Sequence, residues 1–522
     1  MEKRVLLAAL ISGAIVIVWF LLFPAPRSTP RPVTTAAPTV TAATPVPGGV
    51  NTTHAAAATG PVPAAARGAA ATEVKLEGAG WRAVVDTRGG VLRSVVLPAY
   101  TDAAGRPLEL VREGGMPPLQ MAAAGPWNEE PYAITQRADE VWLRWSDGRG
   151  NWVEKRLGVG KGKYSLTVDV RAGGGAAVDG VVVASGLAST AKQDTRTQLA
   201  GSEAVVRVNG KLTRVSPAKL PSPQRVSGAV EFAGVQDQYF LLALLPDSLL
   251  EAVSASAAAG AQGPVAQVAV LGSEGIVRGA LYLGPKEHAT LAAYGRGMEE
   301  TISFGIFSFL SVGFLVALRW IYAWAQNWGF AIVVLTAAIR VLLFPLNHKS
   351  AVAMKRMQTL QPKIKAIQGR YQERAKKDPK ARERMNQETM ELYRKEGVNP
   401  MGGCLPMLIQ LPILWALYSL FSVAIELRHA PFMLWIKDLS LKDPTYITPI
   451  LMTATMVAQQ LLAPQVGDPA QRRMFMLMPF IFGFMFINFP AGLVLYWLVN
   501  NVLTIAQQML TQRMMDATKP AQ

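Results

Sequence analysis

The chain has 522 residues, is 50% hydrophobic and 17% charged, and carries a formal net charge of +16. That length exceeds what one core organises and predicts several domains. A single cysteine, Cys404, excludes an intrachain disulfide. With four scattered histidines it gives no metal-ligand spacing, so no metal or other cofactor is expected.

Residues 5–23 form the first apolar run, preceded by Lys3 and Arg4. A cleaved signal peptide competes with a membrane anchor here. Phe23-Pro24-Ala25-Pro26 is a poor small-residue cleavage site, so residues 1–23 are read as an uncleaved anchor with the basic end in the cytoplasm. Residues 24–72 are rich in Pro, Thr, Ala and Gly and are expected to be a disordered tether.

From residue 73 to about 300 short alternating runs recur, among them Trp81 to Val85, Val91 to Leu97, Val141 to Trp145 and Val277 to Leu283. Turn signals such as Arg88-Gly89-Gly90, Asp147-Gly148 and Asn209-Gly210 separate them. This pattern predicts an all-β sandwich. His288 is the only histidine in the segment, which leaves no support for a nucleophile–His–acid set, and a binding or scaffolding domain is expected.

Residues 303–346 are almost continuously apolar. Residues 349–398 then hold fourteen basic and six acidic residues, a net of +8 that belongs in the cytoplasm. Starting outside, only an odd number of crossings reaches that block. Residues 301–327 are therefore expected to lie at the outer interface, with Trp320, Tyr322, Trp324 and Trp328 as an aromatic belt. Residues 328–347 cross. They contain Arg340, whose guanidinium costs about 2.5–3.5 kcal/mol in hydrocarbon on insertion scales. Thr336 lies four residues earlier, on the same helical face. From this helix alone, snorkelling to the interface and a buried functional charge both stay open.

Residues 348–400 are expected to form a helical hairpin. Its first helix runs from about Lys349 to Arg374 with a kink at Pro362, and Asp378-Pro379 starts the second. A solvated hairpin against anionic lipid and a landing site for ribosome or nascent chain are both compatible with its charge. Four further spans are predicted at 405–425, 446–463, 474–487 and 491–511, followed by a short tail at 512–522. The 474–487 arm is short and built from Met and Phe, which suits a locally thinned membrane. Its side chains are either ordinary lipid-facing groups or an adaptable surface for many apolar partners.

Gln410 falls in the third span, Thr455 and Gln459 share a face of the fourth, and Trp497, Asn501 and Thr504 share a face of the last. Together with Arg340 these faces predict one polar, hydrated cavity in the inner leaflet. No Walker-type phosphate loop is present, and no enzymatic activity is expected.

These segments resemble the YidC/Oxa/Alb family of membrane protein insertases, in its Gram-negative form with a large periplasmic domain. The matching stretches include Asn327-Trp328-Gly329-Phe330, Leu360-Gln361-Pro362-Lys363, Asn399-Pro400-Met401-Gly402-Gly403-Cys404 and Pro490-Ala491-Gly492-Leu493-Val494-Leu495-Tyr496-Trp497. Thr87-Arg88-Gly89-Gly90 and Leu97-Pro98-Ala99-Tyr100 match in the β domain. The resemblance implies a six-span α-helical polytopic membrane protein of the inner membrane, both termini cytoplasmic, with an inserted periplasmic β-supersandwich. It implies a groove at Thr336 and Arg340, and a hydrophobic slide at Leu414, Met485, Phe489, Tyr496 and Trp497. The implied partners are nascent membrane proteins, the Sec translocon, anionic lipids, and the ribosome and signal recognition receptor through the basic hairpin, with no DNA. Trp497 departs from the family pattern, where a second tyrosine is common, and Asn488 stands in a usually apolar turn. The other function class, a secondary transporter drawing an anionic solute to Arg340, lacks the internal repeat and paired broken helices it would need.

Overall fold

The computed structural model describes residues 71–517 except 103, 138, 178–179, 190–201, 249, 261–262, 372–377, 399–404 and 463–468. The expected anchor, nearly all of the tether, the hairpin tip and the Asn399–Cys404 motif lie outside the described residues. The chain divides into two compact units at Ile302/Ser303.

The first unit is a β domain. β1 (Glu73–Gly78), β2 (Trp81–Asp86), β3 (Val91–Thr101) and β4 (Pro107–Glu109) form a four-stranded sheet. A nine-stranded sheet holds β5 (Ala133–Arg137), β6 (Glu140–Ser146), β7 (Trp152–Val159), β8 (Ser165–Gly173), β10 (Glu203–Val208), β11 (Lys211–Val215), β13 (Val230–Gln236), β14 (Phe240–Pro246) and β17 (Ile276–Pro285). Its order is β11-β10-β13-β14-β17-β8-β7-β6-β5. β9 (Val181–Ser185), β12 (Gln224–Val226), β15 (Leu250–Ala258) and β16 (Val265–Gly272) form a second four-stranded sheet. This last sheet packs on β10, β13 and β14.

Local sequence accounts for much of this. In β6, Val141, Leu143 and Trp145 are buried while Glu140, Trp142 and Arg144 face outward, the alternation of a one-sided sheet. Asn209 and Gly210 both have positive φ, 50° and 74°, and join β10 to β11 as a two-residue hairpin turn. The alternation also places Lys155 of β7 inward between Val153 and Leu157. Its ammonium donates to the carbonyls of Gly89 (2.7 Å), Gly90 (3.0 Å) and Leu119 (2.7 Å) and lies 5.1 Å from the Tyr132 ring centroid. Lys155 thus ties the β2–β3 turn, carrying the Arg88-Gly89-Gly90 signal, to the large sheet. After β17 comes a short helix, α1 (His288–Tyr294), which ends at Gly295.

The second unit is helical: α2 (Ser308–Ala325), α3 (Trp328–Thr359), α4 (Gln361–Tyr371), α5 (Pro379–Lys395), α6 (Leu405–Val423), α7 (Ile447–Leu462), α8 (Pro469–Phe486) and α9 (Ala491–Ala517). The Asn327-Trp328-Gly329-Phe330 stretch acts as a joint. The Asn327 side chain accepts from the Phe330 amide (2.9 Å), capping α3, and donates to the Phe432 carbonyl (3.0 Å). Trp328 stacks on Tyr322 at 4.2 Å. Gly329 lies so close to the Phe432 ring that a Cβ would sit 2.1 Å from Cδ2.

Two expectations change. First, α3 does not end near Asn347 but continues as one helix to Thr359, through Pro345, with the break at Leu360. The proline that breaks the ladder is Pro362, which lacks an N–H for the carbonyl four residues earlier. Second, the last helix continues through the expected tail to Ala517, because Thr511–Met515 contains no helix-breaking residue. Only three helical segments among the described residues are long and apolar enough to cross a membrane by themselves: Gly305–Ala325, Trp328–Thr359 and Ala491–Thr511. Ile447–Leu462 and Met474–Phe486 are shorter apolar helices, so length does not by itself give six spans.

The hairpin has its own small core. Met357, Leu360, Ile364 and Val398 are buried together, with Leu392 and Tyr393 packed on them. Asp378 caps α5 by accepting from the Lys380 amide, Pro379 takes its first turn, and Gly397 with φ 62° closes it.

Candidate functional site

Arg340 lies in the fourth turn of α3, between apolar turns, and is half-buried. Its Nε donates to Asn500 Oδ1 at 2.8 Å, and one Nη donates to the Thr504 hydroxyl and, at 3.4 Å, to the Asn500 carbonyl. Asn500 and Thr504 sit four residues apart on α9 and form one stripe, with Thr504 Oγ1 donating to the Asn500 carbonyl at 2.6 Å. Tyr496 continues that stripe one turn earlier. It is buried, and its hydroxyl accepts from Gln410 Nε2 of α6. Arg340, Gln410, Tyr496, Asn500 and Thr504 therefore join α3, α6 and α9 through polar groups.

The other expected residues fall elsewhere. Thr336 is buried, and its hydroxyl donates to the Ile332 carbonyl of its own helix at 2.6 Å. Asn501 is buried and turned about 100° from Asn500. Its Nδ2 donates to Thr455 Oγ1 at 3.1 Å and to the Met452 carbonyl at 3.5 Å, clamping α7 to α9. Gln459 is half-buried and, among the described residues, joins neither set of bonds. Trp497 faces α8, with its ring 5.0 Å from Phe486 and 6.2 Å from Phe482.

A chain of rings leads outward from there. Phe486 meets Phe489 at 4.8 Å, and Phe489 meets Tyr418 at 5.3 Å. Leu414, Met485 and Phe489 are half-buried, and Phe480 and Phe484 of α8 are 60% and 77% exposed. The α8 surface is thus apolar in its exposed part, with its aromatic seam against α9. Gly483 lets α7 and α8 approach, since a Cβ there would lie 2.1 Å from Thr453 Oγ1. An open apolar groove of about 610 Å³ runs between these two helices past Ile450, Val457 and Phe480.

The loop before α7 holds this bundle. Asp443 accepts from the Thr445 and Thr448 amides (both 2.8 Å), from both hydroxyls and from Trp435 Nε1 (3.1 Å). Burial opposes its charge, but these bonds win and hold the carboxyl at about 2. The α9 start is pinned by the Ala491 and Gly492 amides donating to the Leu441 (2.7 Å) and Leu439 (2.9 Å) carbonyls. A second arginine in an apolar helix, Arg319 of α2, forms an ion pair with Glu426.

Asn500 is the site residue that sequence reasoning missed. The signal was present: Tyr496, Asn500 and Thr504 repeat every four residues and make a second polar stripe beside the Trp497–Asn501 face.

Family models match both units. One described as the YidC periplasmic domain matches residues 73–316, and one described as the 60Kd inner membrane protein matches residues 320–519. The membrane protein insertase YidC of Geobacter metallireducens is 36% identical over 536 aligned residues, covering 97% of this chain and 98% of that protein. That of Syntrophus aciditrophicus is 34% identical, covering 97% and 99%. A solved active YidC insertase aligns with 83% of this chain and 91% of its own at 21% identity and a TM-score of 0.37. Full-length identity of this order, with both family models in the expected sequence, means that the chain belongs to the YidC membrane protein insertase family.

Proposed function

We propose that this protein inserts nascent integral membrane proteins into the bacterial inner membrane through a hydrated inner-leaflet groove centred on Arg340. The observation that carries this reading is the polar bridge of Arg340 to Asn500 and Thr504 inside an otherwise apolar bundle. A charge kept at that position needs a polar guest or water to justify its desolvation. The groove centres on Arg340, Gln410, Asn500 and Thr504, with Thr336, Thr455, Gln459, Asn501 and Trp497 on the helices that flank it, and the slide is Leu414, Met485, Phe489 and Tyr496. A client's polar segment enters at Arg340 while its apolar segment moves out over the Met/Phe surface of α8 into lipid. Burial of that apolar segment drives the reaction.

The same reading places six spans in the membrane, counting residues 1–23, with both termini inside and the β domain in the periplasm. The +8 block from Lys349 to Val398 supports a cytoplasmic hairpin. Helix α7 has 16 residues, about 24 Å, against about 30 Å of hydrocarbon. Short spans of this kind favour a thinned bilayer at the groove. The protein works alone on small clients and with the Sec translocon on larger ones, and the basic hairpin meets anionic lipid, ribosome or signal recognition receptor.

The test pairs insertion rates for clients with acidic and neutral translocated tails. Arg340→Ala is expected to slow the acidic client more, and Arg340→Lys to keep much of the activity. Equal losses for both tails remove the electrostatic role. Cysteines at 336 and 340 that no cytoplasmic thiol reagent reaches remove the hydrated groove.

A further inference from the structure

The nine-stranded sheet ends at β5, and the open edge of that strand is chemically unusual. β5 pairs with β6 in unbroken register, Ala133 opposite Arg144 through Arg137 opposite Glu140, with no bulge to turn the edge away. Four of its five residues are exposed. One of them is Ile134, 37% exposed although it stands opposite fully buried Leu143 on the core face. The apolar layer therefore runs one strand past its cover.

The outer face beside this edge is basic around an aromatic ring. The guanidinium carbons of Arg137, Arg144 and Arg156 lie 5.0, 5.9 and 4.0 Å from the Trp142 ring centroid. Two carboxylates lie nearby. Glu154 pairs with both Arg144 (3.1 Å) and Arg156 (2.6 Å), and Glu140 accepts from Trp142 Nε1 (3.1 Å). Three guanidiniums thus face two carboxylates, a net of one positive charge beside an edge where β5 pairs with no further strand among the described residues.

We propose that β5 is a docking edge for an extended polypeptide segment that alternates apolar and acidic side chains and adds to the sheet as a further strand. Backbone bonding to the edge supplies affinity, and the period of two supplies specificity. Apolar side chains of the guest cover Ile134, and acidic ones meet Arg137 and the Trp142 cluster on the opposite face. A second copy of β5 does not fit, because Ala133–Arg137 brings no acidic side chain to Arg137 or the Trp142 cluster. This surface lies wholly within the β domain and is independent of the groove reading.

The experiment uses the full chain in nanodiscs of zwitterionic lipid. Fluorescent capped peptides alternate valine with glutamate, alternate valine with lysine, or carry the valine–glutamate composition in blocks. The alternating acidic peptide is expected to bind and to slow amide exchange across residues 133–137. Joint Arg137→Glu and Arg156→Glu substitution is expected to weaken it by about tenfold, the scale of losing two partly exposed ion pairs. Ile134→Lys tests the core face separately and disturbs no ion pair. Equal binding of the basic or blocked peptide overturns the proposal, as does binding without protection of residues 133–137. Unchanged affinity in the variants overturns it too. Phosphatidylglycerol vesicles that bind the face while the peptide does not would assign the surface to lipid headgroups instead.

Discussion

The bond between Arg340 and Asn500 offers the sharpest check on the site, because sequence patterning pointed to the neighbouring Asn501. A double-mutant cycle of Arg340→Met with Asn500→Leu isolates it. A hydrogen bond to a charged group is worth about 1.5–3 kcal/mol when its loss leaves the partner buried. Arg340 is half-buried and keeps Thr504 as an acceptor, so the coupling is expected at about 1–2 kcal/mol after discount for solvent. The parallel cycle of Arg340→Met with Asn501→Leu should be additive within about 0.5 kcal/mol, because Asn501 spends its amide on Thr455 and Met452. Asn501→Leu alone should still destabilise, through the α7–α9 clamp. Unfolding of the full chain by SDS titration from mixed micelles reads both cycles. Coupling at 501 with none at 500 would refute the assignment, and additivity in both would show that neither asparagine holds the guanidinium.

Two further outcomes follow from packing. Burial pushes the Lys155 ammonium down to about 7, so the folded state binds less proton than the unfolded one from there to about 10.5. The urea midpoint of the β domain's transition in the full chain, followed by fluorescence of buried Trp81 and Trp145, should therefore rise between pH 7 and 9. The Lys155→Met variant should lose that slope and lie lower throughout, since three carbonyls lose their donor at about 1–3 kcal/mol for each one left unpaired. Gly329→Ala places a Cβ inside the Phe432 ring contact and should cost about 1–3 kcal/mol as overpacking, read as a lower SDS midpoint. A companion Phe432→Leu substitution should recover part of the loss.

The sequence was most informative where one face of an element is wet. β6 announces itself by alternation, and Asn209-Gly210 marks its own turn. β14 does not alternate, because all seven of its residues, Phe240–Pro246, are buried, and such a run carries no period. Lys155 was readable as a lysine on the inward register of β7, though its three carbonyl partners come from turns distant in sequence. In the helical unit the apolar spans and Arg340 were plain. Which of two adjacent asparagines serves that arginine was not, since the choice rests on a 100° rotation of α9 about its axis. Helix ends were misjudged for a related reason: α3 runs on past Asn347 into the basic segment, through Pro345, so composition changes there while the backbone does not.

The contrast between the two arginines of the apolar helices favours the proposed reading. Arg319 meets a carboxylate, Glu426, and the pair presents almost no net charge to its surroundings. Arg340 is held by an amide oxygen, a hydroxyl and a backbone carbonyl, all neutral. Neutral acceptors satisfy the N–H donors, which removes much of the cost of burial. They leave the positive charge uncancelled. An acidic side chain arriving about 4 Å away then gains about 4 kcal/mol at an effective dielectric of 20, against about 1 in bulk water. A counter-ion in place of Asn500 would fix the helices at least as well and would abolish that attraction. The choice of partner is therefore what a transient site for acidic segments requires, while a merely structural arginine would be served better by the arrangement found at Arg319.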